Sequence, residues 1–466
     1  MTTATAIAAD DPIAAAVPQA DARSRMLRDG PILSTLVRLS VPNLIALCSA
    51  TVVSIAETGY VGSLGVAPLG GIALVFPVFM LMQMLSAGAM GGTVSGAISR
   101  ALGAGDRVRA QALALCSLVI GLALGGIFTS IVLAFGPWAY ARLGGSGPVL
   151  QEAIAYSNVA AVAIIAIWAT NMLASVGRGS GNMAMPASTL LGAGLMQVVV
   201  GGALGLGLGP LPRLGMAGVA AGQVVAFTSS ALVLLVYLRS RRARLQLRLA
   251  RNILSARDFG ELLKIGSISM LSPLLSVSTV LVMTALVARF GPEALAGFGI
   301  GVRLEFLLIP IAFSVGVASV PMVGTAMGAH NIERARRIAW TAGGLAAAAL
   351  GVLGGLAVLA PELWVDIFTE APKVQDAAYG YLRTAGFSFA FFGLGLCLYF
   401  ASQGAGRVGG AITAQTLRLT IVLVGGLTLS TAGAPLSSYF LLSAVAMIAM
   451  GLGTALFVKL ARWSVS

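Results

Sequence analysis

Glu57 stands inside a predominantly apolar run from Val37 to Tyr60, which is long enough to cross a bilayer. Holding an ionisable group at bilayer depth costs about 3 kcal/mol on insertion scales, so such a side chain faces a cavity or a partner and carries function. The chemistry open to a lone carboxyl there is capture and release of a proton or a cation. A structural acid bonded to a neighbouring helix is the plainer alternative. Pro42, fifteen residues earlier, loosens the ladder of the same helix and offers a place for it to bend.

A second candidate group is Arg303 with Glu305. Two positions apart on a helix is about 200° of rotation, so the two cannot face each other and each needs a partner elsewhere. They are expected to join a buried charge network in the second half of the chain, with a structural or gating role beside Glu57 as the primary ion carrier. Asn171 and Gln197 are amides in apolar runs, suited to interhelical hydrogen bonds or to a polar spot on a cavity wall. Phe76, Met80 and Met84 follow i, i+4, i+8 spacing. That stripe reads as a lipid-facing or core surface, or as the adaptable wall of a promiscuous cavity, and Met80 and Met84 are taken as cavity candidates. His330, the one histidine, is expected at the surface and receives no role in proton transfer.

These residues need a scaffold, and composition supplies it: 58% hydrophobic residues, 10% charged and a mean hydropathy of +0.95. Twelve apolar runs are long enough to span, at 36–60, 68–98, 111–135, 150–175, 186–208, 216–238, 262–289, 295–326, 338–360, 377–402, 410–430 and 437–458. None shows the short apolar/polar alternation of an outer-membrane barrel, so the backbone must be satisfied as helices. The fold class expected is an all-α membrane protein of twelve transmembrane helices.

The net charge of +13 is placed in alternate loops, the pattern that sets membrane orientation. Arg23, Arg25, Arg28 and Arg38 precede or open the first span. Arg100, Arg107 and Arg109 follow the second, and Arg239, Arg241, Arg242, Arg244, Arg248, Arg251 and Arg257 crowd the loop between the sixth and seventh. These loops and both termini are therefore assigned to the cytoplasm. The opposite loops are short or acidic, as between Pro361 and Asp376. A nucleic-acid partner is excluded because the basic run has no interleaved aromatic residue before Phe259. Cys48, Cys116 and Cys397 all fall in spans, which leaves no disulfide framework or zinc-type spacing, and no cofactor is expected. Residues 1–30 lack an unbroken apolar segment and read as a disordered cytoplasmic tail.

The chain repeats itself once. Ala101-Leu-Gly-Ala-Gly-Asp-Arg-Val-Arg-Ala110 pairs with Ala326-Met-Gly-Ala-His-Asn-Ile-Glu-Arg-Ala335, Leu64-Gly65 with Phe290-Gly291, and Gly179-Ser-Gly181 with Gly404-Ala-Gly406. Six helices per half is an even number, so the halves form a parallel repeat about an axis along the membrane normal. The expected organisation is a tail at 1–30, an N-lobe at 31–238, a basic cytoplasmic linker at 239–258 and a C-lobe at 259–460, with the transport path between the lobes.

At Gly299-Ile-Gly-Val-Arg-Leu-Glu-Phe-Leu-Leu-Ile-Pro310, at Met327 to Ala335, and at Pro42, Glu57 and Val61-Gly-Ser-Leu-Gly65 the chain resembles the multidrug and toxic compound extrusion (MATE) family, closest to its DinF-like bacterial branch. The resemblance covers 31–460. It implies two six-helix bundles in the bacterial inner membrane, alternating access, and export of small amphipathic or cationic molecules by a monomer against inward proton or sodium flow. Two departures matter. Relatives often carry a second acid on the fifth helix within Asn-x-x-x-Asp, where this chain has Gln197 and Gly201. Acids described on the seventh and tenth helices of sodium-coupled relatives are replaced by Ser276, Ser278, Thr279, Cys397 and Gln403. A hard cation wants several oxygens, and one carboxylate is a poor cage, so the proton is the preferred coupling ion. A major-facilitator carrier would need the Gly-Arg-Arg/Lys element that is missing after Gly105-Asp106-Arg107, and a lipid-linked glycan flippase would need several cavity arginines where only Arg303 qualifies.

Overall fold

The computed structural model describes residues 25–247, 254–461 and 463, and among them forms helices and no strand. Twelve helices of the described residues are long and apolar enough to cross a membrane: α1 Ile32–Leu64, α2 Val66–Gly103, α3 Arg107–Arg142, α4 Gly147–Gly179, α5 Ala184–Leu206, α6 Gly215–Arg239, α7 Ala256–Phe290, α8 Pro292–Gly328, α9 Ile332–Leu359, α10 Pro372–Ala405, α11 Gly409–Thr431 and α12 Leu436–Leu460. They group as two six-helix bundles, each around its own core. Trp168, fully buried and stacked on Phe128 at 5.5 Å, centres the N-lobe. Tyr381, Phe298 and Phe440 meet edge-on at 5.0 and 5.3 Å in the C-lobe.

The sequence repeat is written in the backbone. Asp106 caps α3 by accepting from the Arg109 amide at 2.9 Å, and Asn331 caps α9 by accepting from the Arg334 amide at 3.0 Å. The residue before each cap is left-handed: Gly105 has φ +79°, and its counterpart His330 holds φ +58° despite its side chain. His330 is exposed at this turn. The two halves of the lobe contact are also reciprocal. A Cβ on Gly103 would lie 2.9 Å from the Thr325 carbonyl carbon, and one on Gly328 would lie 2.9 Å from the Arg100 carbonyl carbon, so only glycine lets α2 and α8 cross this closely.

One irregularity breaks the symmetry. The chain has one residue more between Gly65 and Ala101 than between Gly291 and Ala326, and α2 absorbs it as a π-helical stretch at Met84–Met90. Carbonyls loosened by that stretch are reached from the other lobe, where Gln403 Nε2 donates to Gly88 O at 3.3 Å and Ala89 O at 3.1 Å.

The lobes close against each other at the arginine-rich end. Arg100 reaches Glu261 at 2.9 Å and the Gly404 carbonyl at 2.9 Å, while Arg109 reaches Glu261 at 2.5 Å and Asp258 at 3.3 Å. The expected tail differs from the structure at its end. Residues 25–29 are helical, and Leu27 is fully buried because its apolar side chain fills a notch over Gly181 and joins the C-lobe core. Residues 1–24, with Arg23, and Arg248 and Arg251 of the linker lie outside the described residues.

Candidate functional site

A cavity of about 920 Å³ lies between the lobes, within the range of small-molecule sites. Its walls come from α1, α2, α4, α5 and α6, with Phe313 and Val317 of α8 closing the far side. It runs from the level of Asn43 and Arg178 to Leu69, close to the Gly65 turn at the end opposite the arginine-rich contact. The wall is mostly apolar, and Glu57 is its one carboxylate among the described residues.

Glu57 is 9% exposed and is held from two directions. Tyr156 on α4 donates its hydroxyl to Oε1 at 3.3 Å, and Gln197 on α5 donates Nε2 to Oε2 at 3.1 Å. Both donors are neutral, and no cation among the described residues acts on this carboxyl. One side chain therefore ties α1 to α4 and α5 through bonds whose strength depends on its protonation state. The turn after Gln197 is tight: a Cβ at Gly201 would lie 3.0 Å from the Val219 carbonyl oxygen and 3.1 Å from the Tyr60 hydroxyl, so a larger residue there needs its neighbours to shift.

Gln197, Met80 and Met84 lie on the cavity wall, and Pro42 lies inside α1, which continues through it. Asn171 does not line the cavity. It sits behind the wall at 1% exposure, donating to Ser86 Oγ at 2.8 Å and Gln83 Oε1 at 3.4 Å, and so braces the π-helical stretch of α2. Its register points it at α2 rather than at the opening.

Arg303 is a second correction. It is exposed and stacks on the Phe368 ring at 5.7 Å, outside any buried charge network and away from the cavity. Glu305, on the opposite side of α8, accepts a hydrogen bond from the Tyr381 hydroxyl and does not line the cavity. The cation acting on it is Arg418 of α11, which is 6% exposed, lies over the Phe392 ring at 5.6 Å and remains outside ion-pair contact with Glu305. Arg418 stood in an expected span as an ionisable residue and could have been found by the reasoning that singled out Glu57. Tyr156 and Tyr381 occupy the same repeat position, 225 residues apart, which was also readable. Arg178 was not: the fourth span was expected to stop at 175, whereas α4 runs to Gly179 and carries Arg178 onto the cavity wall. Arg178, rather than Arg303, is the cavity arginine.

The MatE family profile matches residues 42–203 and again 269–428, once in each bundle. A FAD transporter of Shewanella oneidensis is 26% identical over 67% of this chain and 69% of its own length. The probable multidrug resistance protein NorM of Thermotoga maritima is 24% identical over 81% of each. Among solved structures, a MOP superfamily transporter from Pyrococcus furiosus superposes with a TM-score of 0.84 at 22% identity, covering 94% of this chain and 97% of that one.

Proposed function

The chain belongs to the MATE family, and from that premise we propose that it is a multidrug efflux antiporter, exporting small amphipathic or cationic compounds in exchange for protons. Relatives named as multidrug resistance or export proteins support the cargo class. The single observation that carries the coupling role is Glu57, the one carboxylate on the wall of the central cavity, bonded to two other helices through neutral partners. A protonated carboxyl loses acceptor strength toward Tyr156 and Gln197, which releases α1. Pro42 has no N–H to return to the preceding turn, so the released helix bends there and changes the cavity. Cationic cargo and the proton compete for the same carboxylate, which makes the exchange obligatory. One carboxylate with amide oxygens supplies too few charged ligands for a sodium cage.

The arginine-rich end faces the cytoplasm in this reading, with both termini, in a bacterial inner membrane; the protein acts as a monomer, and the closed lobe contact separates the cavity from the cell interior. Efflux from everted vesicles tests coupling directly: a pH gradient alone should drive cationic dye transport, and transport driven by a sodium gradient alone overturns the proton assignment. A cysteine at Ser240 should resist a membrane-impermeant thiol reagent in intact cells, and labelling there reverses the orientation.

A further inference from the structure

Arg178 is 6% exposed, lines the cavity and has no acidic partner among the described residues. Its hydrogen-bond partner is Ser175, whose hydroxyl oxygen accepts from Nη2 at 2.9 Å, and no carboxylate of the described residues pairs with it. A buried cation is normally paired with an anion or spread over several acceptors, because leaving it without compensation is costly. The other lobe shows what a purely interhelical role at this position looks like. Gln403 is the repeat counterpart, 225 residues on, and its amide nitrogen is spent on Gly88 O, Ala89 O and the Tyr399 hydroxyl. Arg178 makes no cross-helix bond of that kind among the described residues.

We propose that Arg178 is the receptor for an anionic group of the cargo, so that the cavity accepts amphipathic organic anions and zwitterions as well as cations. The planar guanidinium presents a fork suited to a carboxylate, sulfonate or phosphate. Phe76, Phe79 and Phe227 on the same walls supply apolar contact for an aromatic or aliphatic body. Glu57 and Arg178 then give the cavity one site of each sign, and a cargo bearing both charges uses both. This rests on the exporter reading for its site, but it concerns binding preference and not coupling.

The test is titration calorimetry on purified full-length protein with three aromatic probes: pyrenebutyrate, its neutral methyl ester, and the cation ethidium. Pyrenebutyrate should bind the wild type about tenfold or more tightly than the ester, the scale of one hydrogen bond to a charged group. Arg178→Gln should erase that preference and tighten ethidium, because a positive charge has left the cavity, and Arg178→Lys should keep part of it. Equal binding of acid and ester by the wild type overturns the proposal, and that comparison stands even where Arg178→Gln does not fold. Acid and ethidium weakening together in a folded Arg178→Gln also overturns it, since a merely structural arginine would move both in one direction. A wild type that prefers the acid but exports no probe from everted vesicles under a pH gradient leaves the anion site standing and sinks the exporter reading instead.

Discussion

Each lobe builds a carboxylate site around the same tyrosine, and the two sites are wired differently. In the N-lobe Tyr156 bonds Glu57, which arrives from α1; in the C-lobe Tyr381 bonds Glu305, which arrives from α8. The helices have exchanged roles. The counterpart of Glu57 on α7 is Met283, 3% exposed in the core, and the counterpart of Glu305 on α2 is Phe79, which packs edge-on against Tyr156 at 6.3 Å. The second partner differs as well. α5 presents Gln197 to Glu57 and the small Ala193 one turn earlier, whereas α11 presents Val422 and Arg418 at those two positions.

Under the proposed exchange, that difference separates a carrier from a strut. Neutralising a carboxylate faced by a cation leaves that cation less compensated in a low-dielectric interior. Faced only by a phenol and an amide, as Glu57 is, a carboxylate can take up and lose a proton without leaving an unpaired neighbour. Position reinforces chemistry: Glu57 is on the wall of the cavity and Glu305 is not. Under the same proposal the C-lobe site fixes α8 against α10 and α11, and the N-lobe site couples ion to cargo.

The sharpest way to break this comparison is to neutralise both acids. Glu57→Gln should reduce gradient-driven efflux to the level of empty vesicles while expression and melting temperature stay near wild type, and Glu57→Asp should retain a fraction. Glu305→Gln should instead lower melting temperature and expression together, by about 2 kcal/mol for the weakened bond to Tyr381 and the less compensated Arg418. The partner that donates to it is a hydroxyl and not a guanidinium, which keeps the cost below that of a broken buried ion pair. A stable, inactive Glu305→Gln beside an active Glu57→Gln would reverse the assignment.

A smaller effect is expected at the lobe interface. Gln403→Leu removes the donor that reaches the π-helical stretch and leaves the Gly88 and Ala89 carbonyls without it, for about 1.5 kcal/mol, read as a lower melting temperature in detergent. The smallest changes belong where the lobes are alike. Asp106→Ala and Asn331→Ala delete equivalent helix caps and should cost about 1 kcal/mol each. Unequal losses in thermal unfolding would mean that the caps, like the carboxylates, have diverged.

Twelve spans, the duplication and a carboxyl held inside a span at Glu57 were legible in the sequence because they depend on local quantities: hydropathy summed over a helix, identities at a constant offset, and the position of one charge in an apolar run. Even the asymmetry was half visible, since Met283 at the position of Glu57 already makes the lobes unequal. Partners were not legible. Arg303 looked buried because it sits in an apolar run, but one helix face points outward, and only packing showed that Arg303 lies on it while Glu305 turns toward α10 and α11. Asn171 and Gln197 are both span amides, and tertiary structure put one behind the wall and the other on Glu57. Arg178 entered the cavity because α4 continues beyond the end of its hydrophobic run, with its last turn buried against α2 and the start of α5. Hydropathy decides which segments leave water; which side chains then meet is a matter of rotation and crossing angle, set by every neighbouring helix at once.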